Sequence, residues 1–252
     1  MKLVEGTARA ELLAALLPAE PQPGSQAGWQ LRDHAVGTCY RGARGLCALV
    51  VVGPSAFVFG KARPEVARQL ADDGFDGTLA GATSSLDPRP AVPKSLAAGA
   101  TTRHVLIAGP PRHSPPPPPG VLWRPPLADD LPALQRTPGG QVFALWESPL
   151  TAPFALLAVT GSGQLLAAVA ASALSPAYAE LSAWADQSAA RTGLMASGTL
   201  PVLEPILASG RLPTSTVLAG NAAALASATR AGWEAVGEDW IVPLGRSARA
   251  PG

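Results

Sequence analysis

Apolar and polar positions along the chain fall into stretches of changing period, and each period predicts an element. LCALVVVGPSAFVFG (46–60) carries two apolar runs around a Gly-Pro pair, which predicts two strands and a tight turn. RPEVARQLADDGF (63–75) predicts a helix, with Pro64 in its first turn and Gly74 closing it. RHVLIAG (103–109) and VLWRP (121–125) predict strands. LADDLPALQ (127–135) predicts a helix whose first-turn acids suit the helix dipole. FALLAVTGSGQLLAAVAASAL (154–174) predicts a hairpin turning at Gly161, Ser162 and Gly163. Its second arm, from Leu165 to Leu174, is too short to span a bilayer and fits a buried strand.

Beyond it, AYAELSAWA (177–185) predicts a strand with Tyr178, Glu180, Ser182 and Trp184 on one face. TGLMASGTLPVLEPILASG (192–210) predicts a helix that Pro201 and Pro205 leave short, kinked or interrupted. PTSTVLAG (213–220), Asn221 to Ala231 and DWIVPLG (239–245) read as strand, helix and strand. No repeat of 20–50 residues is visible.

The proline run in GPPRHSPPPPPG (109–120) forbids a helix or central strand and reads as a stiff spacer or an ordered surface loop. It divides the chain into an α/β half (1–112), a linker (113–120), a second domain (121–246) and a tail (247–252).

Charge changes this picture little. A formal net charge of +1 implies no field suited to nucleic acid. Glu5 and Glu11 interrupt any apolar core of a leader peptide, so the expectation is a soluble cytoplasmic protein without membrane partners. Cys39 and Cys47 read as small buried residues rather than a disulfide or metal site. His34, His104 and His113 show no metal-ligand spacing. Trp146 with Glu147 is a candidate cleft lining, and the other tryptophans suit core or domain contacts.

Two features could carry chemistry. A carboxylate on an apolar strand rises in pKa when buried, which suits a general base, so Glu180 is the catalytic candidate. Small residues before a helix let a pyrophosphate approach unpaired N–H groups, as in SAARTGLMASG (188–198). Asn221 suits a helix cap and Gly232 a helix stop.

Four stretches together resemble the GCN5-related N-acetyltransferase superfamily: WRPPLADDLPAL (123–134), YAELSAWADQSAARTGLM (178–195), VLAGNAAALASATRAGW (217–233) and EAVGEDWIVPL (234–244). The first half faintly resembles the degenerate first unit of two-domain members. The resemblance implies an α/β (α+β) fold with a mixed, mostly antiparallel sheet flanked by helices, splayed at its middle strand, behind an N-terminal α/β domain. It implies acetyl-CoA as co-substrate and a small-molecule or peptide amine as acceptor. The family's pyrophosphate motif falls on Ala190, Arg191, Thr192, Gly193, Leu194 and Met195. It departs at Ala190, where a basic residue is usual, and at Met195, where a small one is. Pantetheine would pair with the backbone of Ala183, Trp184 and Ala185 and with Asn221. Ala228 stands where many members carry an acidic tyrosine. The expected activity is transfer of an acetyl group to a primary amine; the alternatives are a catalytically silent module of the same fold and an unrelated two-domain binder. Oligomeric state is not legible.

Overall fold

A computed structural model describes residues 1–42, 45–61, 63–82, 86–109, 114–189 and 192–244. The first half runs β1 (Lys2–Leu3), α1 (Gly6–Leu16), α2 (Gln26–Asp33), β2 (Thr38–Arg41), β3 (Cys47–Val52) and β4 (Ser55–Gly60). It continues with α3 (Glu65–Asp72), β5 (Thr78–Gly81), α4 (Lys94–Ala97) and β6 (Thr101–Ala108). The second half repeats that order: β7 (Val121–Arg124), α5 (Leu131–Arg136), a 3-10 segment (Pro138–Phe143), β8 (Ala155–Thr160), β9 (Leu165–Leu174) and β10 (Tyr178–Ala185). It ends with α6 (Leu194–Ala208), β11 (Leu212–Leu218), α7 (Ala222–Arg230) and β12 (Trp233–Pro243). The doubled unit is thus about half the chain, far longer than a solenoid repeat.

All twelve strands join one sheet in the order β1-β2-β3-β4-β5-β12-β6-β11-β10-β9-β8-β7. Only β4 with β5 and β10 with β11 are parallel. The middle of this order is an exchange. The last strand of the first half, β6, pairs with β11 of the second, and the last strand of the second half, β12, pairs with β5 of the first. β6 and β12 then pair with each other, so the two halves are stitched by main-chain hydrogen bonds.

The hairpins form where apolar runs meet turn residues. β3 is buried along almost its whole length, and so is β9. Leu157, Leu194 and Ile206 each have no more than 2% exposure, and burying such a side chain contributes about 1.5–3 kcal/mol. Arg9 of α1 is buried, and its guanidinium donates to the carbonyls of Leu31, Val36 and Gly37. It thereby satisfies the C-terminal end of α2 and fixes the entry to β2. Gly37 there has φ +73°, and a Cβ would lie 2.2 Å from the Val51 carbonyl oxygen.

Helix α2 reaches across to the second half. Gln26 Nε2 donates to Thr214 Oγ1 at 2.7 Å, Gln30 Nε2 donates to the Leu145 carbonyl at 3.3 Å, and Gln30 Oε1 accepts from Leu174 N at 3.2 Å. Both glutamines are buried, so the contact between halves is hydrogen-bonded as well as apolar.

One expectation is corrected. Helix α6 is neither short nor interrupted: it runs 15 residues with Pro201 and Pro205 inside it. Pro201 offers no N–H to the Ser197 carbonyl, and the Ser114 hydroxyl donates to that carbonyl at 3.3 Å and to Ala196 O at 3.0 Å. The buried side of the helix, Leu194, Val202, Leu203 and Ile206, holds the rest in place. Trp123 closes on it, donating from Nε1 to Ser197 Oγ at 2.9 Å.

Candidate functional site

Strands β10 and β11 are in register only from Tyr178–Leu212 to Glu180–Thr214. Beyond that point β10 follows β9 as far as Ala185, while β11 follows β6 as far as Leu218. Each strand takes a different neighbour, so the sheet opens at Glu180. A bulge between Glu180 and Leu181 in the β9–β10 ladder bends β10 at the same place. The edge of β10 past this point has no strand beside it, although Ser215 Oγ donates to the Leu181 carbonyl at 3.0 Å.

Glu180 faces a cavity of about 160 Å³. Thr216 Oγ1 donates to its Oε1 at 3.1 Å. Behind it Arg103 of β6 makes two bonds to Asp239 of β12, Nε to Oδ1 at 2.8 Å and a terminal nitrogen to Oδ2 at 2.6 Å. Burial pushes the Glu180 carboxyl above the usual carboxylate range; the Arg103 guanidinium opposes that shift and Asp239 reinforces it. Burial also disfavours the Arg103 cation, but the bond to Asp239 and the charges of Asp239 and Glu180 together outweigh it and its pKa is raised. Ser182 donates to Ser172 at 2.8 Å, and Ser172 donates to the Glu180 carbonyl at 3.2 Å. The group is a base of raised pKa held in a partly desolvated chamber, which suits proton transfer from an ammonium.

Arg103, Asp239, Thr216, Ser172 and Ser182 were not singled out from the sequence as site residues. Arg103 and Asp239 are 136 positions apart and meet only because β6 and β12 are neighbours. Both strands carry other polar or charged residues, TTRHVLIA in β6 and WEAVGEDWIVP in β12, so no local signal marked this pair. The cavity wall also includes Ala144 and Leu145 rather than Trp146 or Glu147. The Trp146 indole instead donates to the Ala171 carbonyl at 2.8 Å and meets the His34 ring edge-on.

The residues expected on the coenzyme side lie in several settings. Ala183 is exposed at the open edge of β10. Trp184 is half-buried and packs against the core cluster of Leu134 and Leu157. Ala185 is half-buried. Ala190 and Arg191 lie outside the described residues. Thr192 is exposed, its hydroxyl donating to the Ala189 carbonyl at 2.8 Å. Gly193 sits at the start of α6 with φ +79°. Leu194 is buried in the core, and Met195 packs against the same apolar clusters, so neither side chain points at a ligand. Asn221 caps α7, its Oδ1 accepting from Ala224 N at 3.1 Å. The loop also holds Asp186, whose carboxylate accepts from Ser188 N and Oγ.

Cys39 and Cys47 are buried and free. Burial pushes the Cys47 thiol up to about 11, and Glu65 adds to the shift, so neither supplies a thiolate nucleophile. Among the described residues no group of three or more His, Cys, Asp or Glu is placed to hold a metal, and no helix is long and apolar enough to cross a membrane.

No family model and no curated protein matches the sequence. Solved structures do match. A GCN5-related N-acetyltransferase-like protein from Streptococcus suis superposes with a TM-score of 0.67 at 13% identity, over 93% of this chain and 99% of that one. A putative acetyltransferase of the GNAT family from Novosphingobium aromaticivorans gives 0.54 at 18% identity, over 89% and 100%. A tandem GNAT protein from the clavulanic acid biosynthesis pathway gives 0.53 at 18% identity, over 94% of each chain. The parallel pair that parts at Glu180, the doubled element order and these superpositions agree: the chain has the GCN5-related N-acetyltransferase fold.

Proposed function

We propose that this chain is an acyl-coenzyme A-dependent N-acyltransferase that moves an acetyl group from acetyl-CoA to a primary amine. The observation that carries the reading is Glu180, half-buried where β10 and β11 part and facing a chamber between the two halves. The open edge of β10 at Ala183–Ala185 offers amides an added-strand partner. The first turn of α6, entered through Gly193, offers N–H groups to a pyrophosphate.

The chemistry balances without a covalent enzyme intermediate. Glu180 takes a proton from the acceptor ammonium. The freed nitrogen lone pair forms a C–N bond to the thioester carbonyl carbon. Collapse breaks the C–S bond, the sulfur leaves as thiolate, and a water molecule takes the nitrogen's second proton. Water protonates the thiolate, since Ala228 offers no acid. The acceptor is a small-molecule or peptide amine, with no nucleic acid and no membrane involved.

A catalytically silent module of the same fold is the second reading. It is favoured by Ala228 and by the Asp186 carboxylate beside the loop meant for pyrophosphate. Calorimetric titration with acetyl-CoA, followed by release of free thiol over a panel of amines, separates the two. Binding with thiol release supports the transferase. Binding without release for any amine supports the silent module. No binding at millimolar coenzyme overturns the transferase and leaves the silent module.

A further inference from the structure

The cavity at Glu180 is walled by both halves. Ala27 of α2 and Phe57 and Ser55 of β4 come from the first half; Ala144 and Leu145 come from the second. Its charged lining, among the described residues, is Glu180, Asp239 and Arg103. Arg103 is committed through two bonds to Asp239, which leaves Glu180 as the carboxyl that an entering cation can meet.

We propose that this cavity is the acceptor site, that it takes a small amine of single positive charge with an uncharged body about one six-membered ring in size, and that the first half of the chain sets the size limit. This rests on the transferase reading for its chemistry, though not for its binding.

Three features argue for it. An ammonium entering the chamber meets Glu180 at low local dielectric, where opposite charges attract more strongly than in water. A carboxylate on the acceptor would meet no free cation, because the only guanidinium in the described wall is already paired. An unpaired buried charge is costly, so a zwitterionic amino acid is rejected. Size follows from volume: about 160 Å³ is close to the ~150 Å³ apolar cavity that holds one benzene. The lining includes the apolar Ala27, Phe57 and Leu145 beside the polar Ser55 and Gln141, and the Ser172 and Ser182 hydroxyls are already engaged with each other.

Calorimetry of the full chain with benzylamine, without coenzyme, reads the cavity alone. Benzylamine should bind, and phenylalanine, which adds a carboxylate to a similar ring, should bind at least about tenfold more weakly, about 1.4 kcal/mol. Ala27→Leu should weaken benzylamine about tenfold or more while the acetyl-CoA Kd stays within about twofold. Phe57→Ala should admit 1-naphthylmethylamine, and it carries the test should Ala27→Leu fail to fold. Equal affinity for benzylamine and phenylalanine overturns the proposal. So does no binding of benzylamine at millimolar concentration, or benzylamine and naphthylmethylamine affinities unmoved in variants that melt like the parent. Amine binding with no coenzyme binding would leave the cavity assignment standing and remove the transferase.

Discussion

Arg103 and Asp239 sit directly opposite each other on β6 and β12, the two strands that each half contributes to the seam, and their side chains form a two-bond ion pair. Asp239 is only 6% exposed. The pair thus ties the halves together and backs Glu180 from behind.

Removing one partner should therefore cost more than removing both. Arg103→Leu leaves the Asp239 carboxylate buried and unpaired and should destabilise the fold by about 3–5 kcal/mol. Arg103→Leu with Asp239→Leu should recover much of that loss. Urea midpoints of the three proteins measure the difference, and a double variant no better than the single one would refute the pairing argument.

Glu180→Gln should lower kcat/KM by about 10²- to 10⁴-fold while acetyl-CoA affinity is retained. The pH dependence carries a definite sign. Burial raises the Glu180 pKa, so the ionised base appears only above the usual carboxylate range, and the acid limb of the rate profile should lie there. The folded state also holds this proton to higher pH than the unfolded chain does. Its contribution to stability therefore falls as pH rises from the ordinary glutamate pKa through the raised one. Thermal midpoints across that window should slope downward in the parent and flatten in Glu180→Gln.

Asp130 shows the opposite sign. The Arg124 guanidinium binds it through two nitrogens at 2.6 and 2.8 Å and holds its carboxyl below the usual range; burial opposes the shift and the Leu127 N–H assists it. The stabilisation is present above the unfolded aspartate pKa and is lost as pH falls through the depressed folded one. Asp130→Asn should cost about 2 kcal/mol at neutral pH, and the gap from the parent should close in acid. A gap that stays constant down to the acid transition would contradict this.

Asn221→Ala should remove the α7 cap at a cost of about 1 kcal/mol. No residue of α7 is buried, so the loss should show as local fraying in hydrogen exchange. Asn221→Ser keeps a capping oxygen and should restore protection. If the serine variant still binds coenzyme A more weakly than the parent, the asparagine contacts the ligand as well as the helix.

Elements with local signals were legible in the sequence. The Gly53-Pro54 and Gly161–Gly163 turns each join two strands of a hairpin, α3 ends before Gly74, and Asn221 caps its helix. Glu180 stood out because a carboxylate on an apolar strand is unusual, and it does face a chamber. What could not be read was long-range. The exchange of β6 and β12 depends on backbone pairing between distant segments, and strand propensity says nothing about which edge a strand will join. Gln26 and Gln30 look like surface residues of a short helix, yet each is buried by a partner more than a hundred positions away. The same holds for α6, whose prolines are tolerated because Ser114, at the edge of the proline run, reaches a carbonyl that Pro201 cannot pair.

The strand exchange also sets an order of events during synthesis. β6 ends at Ala108, and β12, which must lie between it and β5, ends at Pro243. At about 5–20 residues per second a ribosome needs roughly ten seconds to cover that stretch. Through this interval β5 shows a bare edge, and β6 has no neighbour until β11 (Leu212–Leu218) is made. The nascent first half is thus exposed to edge-to-edge pairing with other chains until the last strand emerges. Its solubility in the cell depends on how quickly its own C-terminal strand arrives.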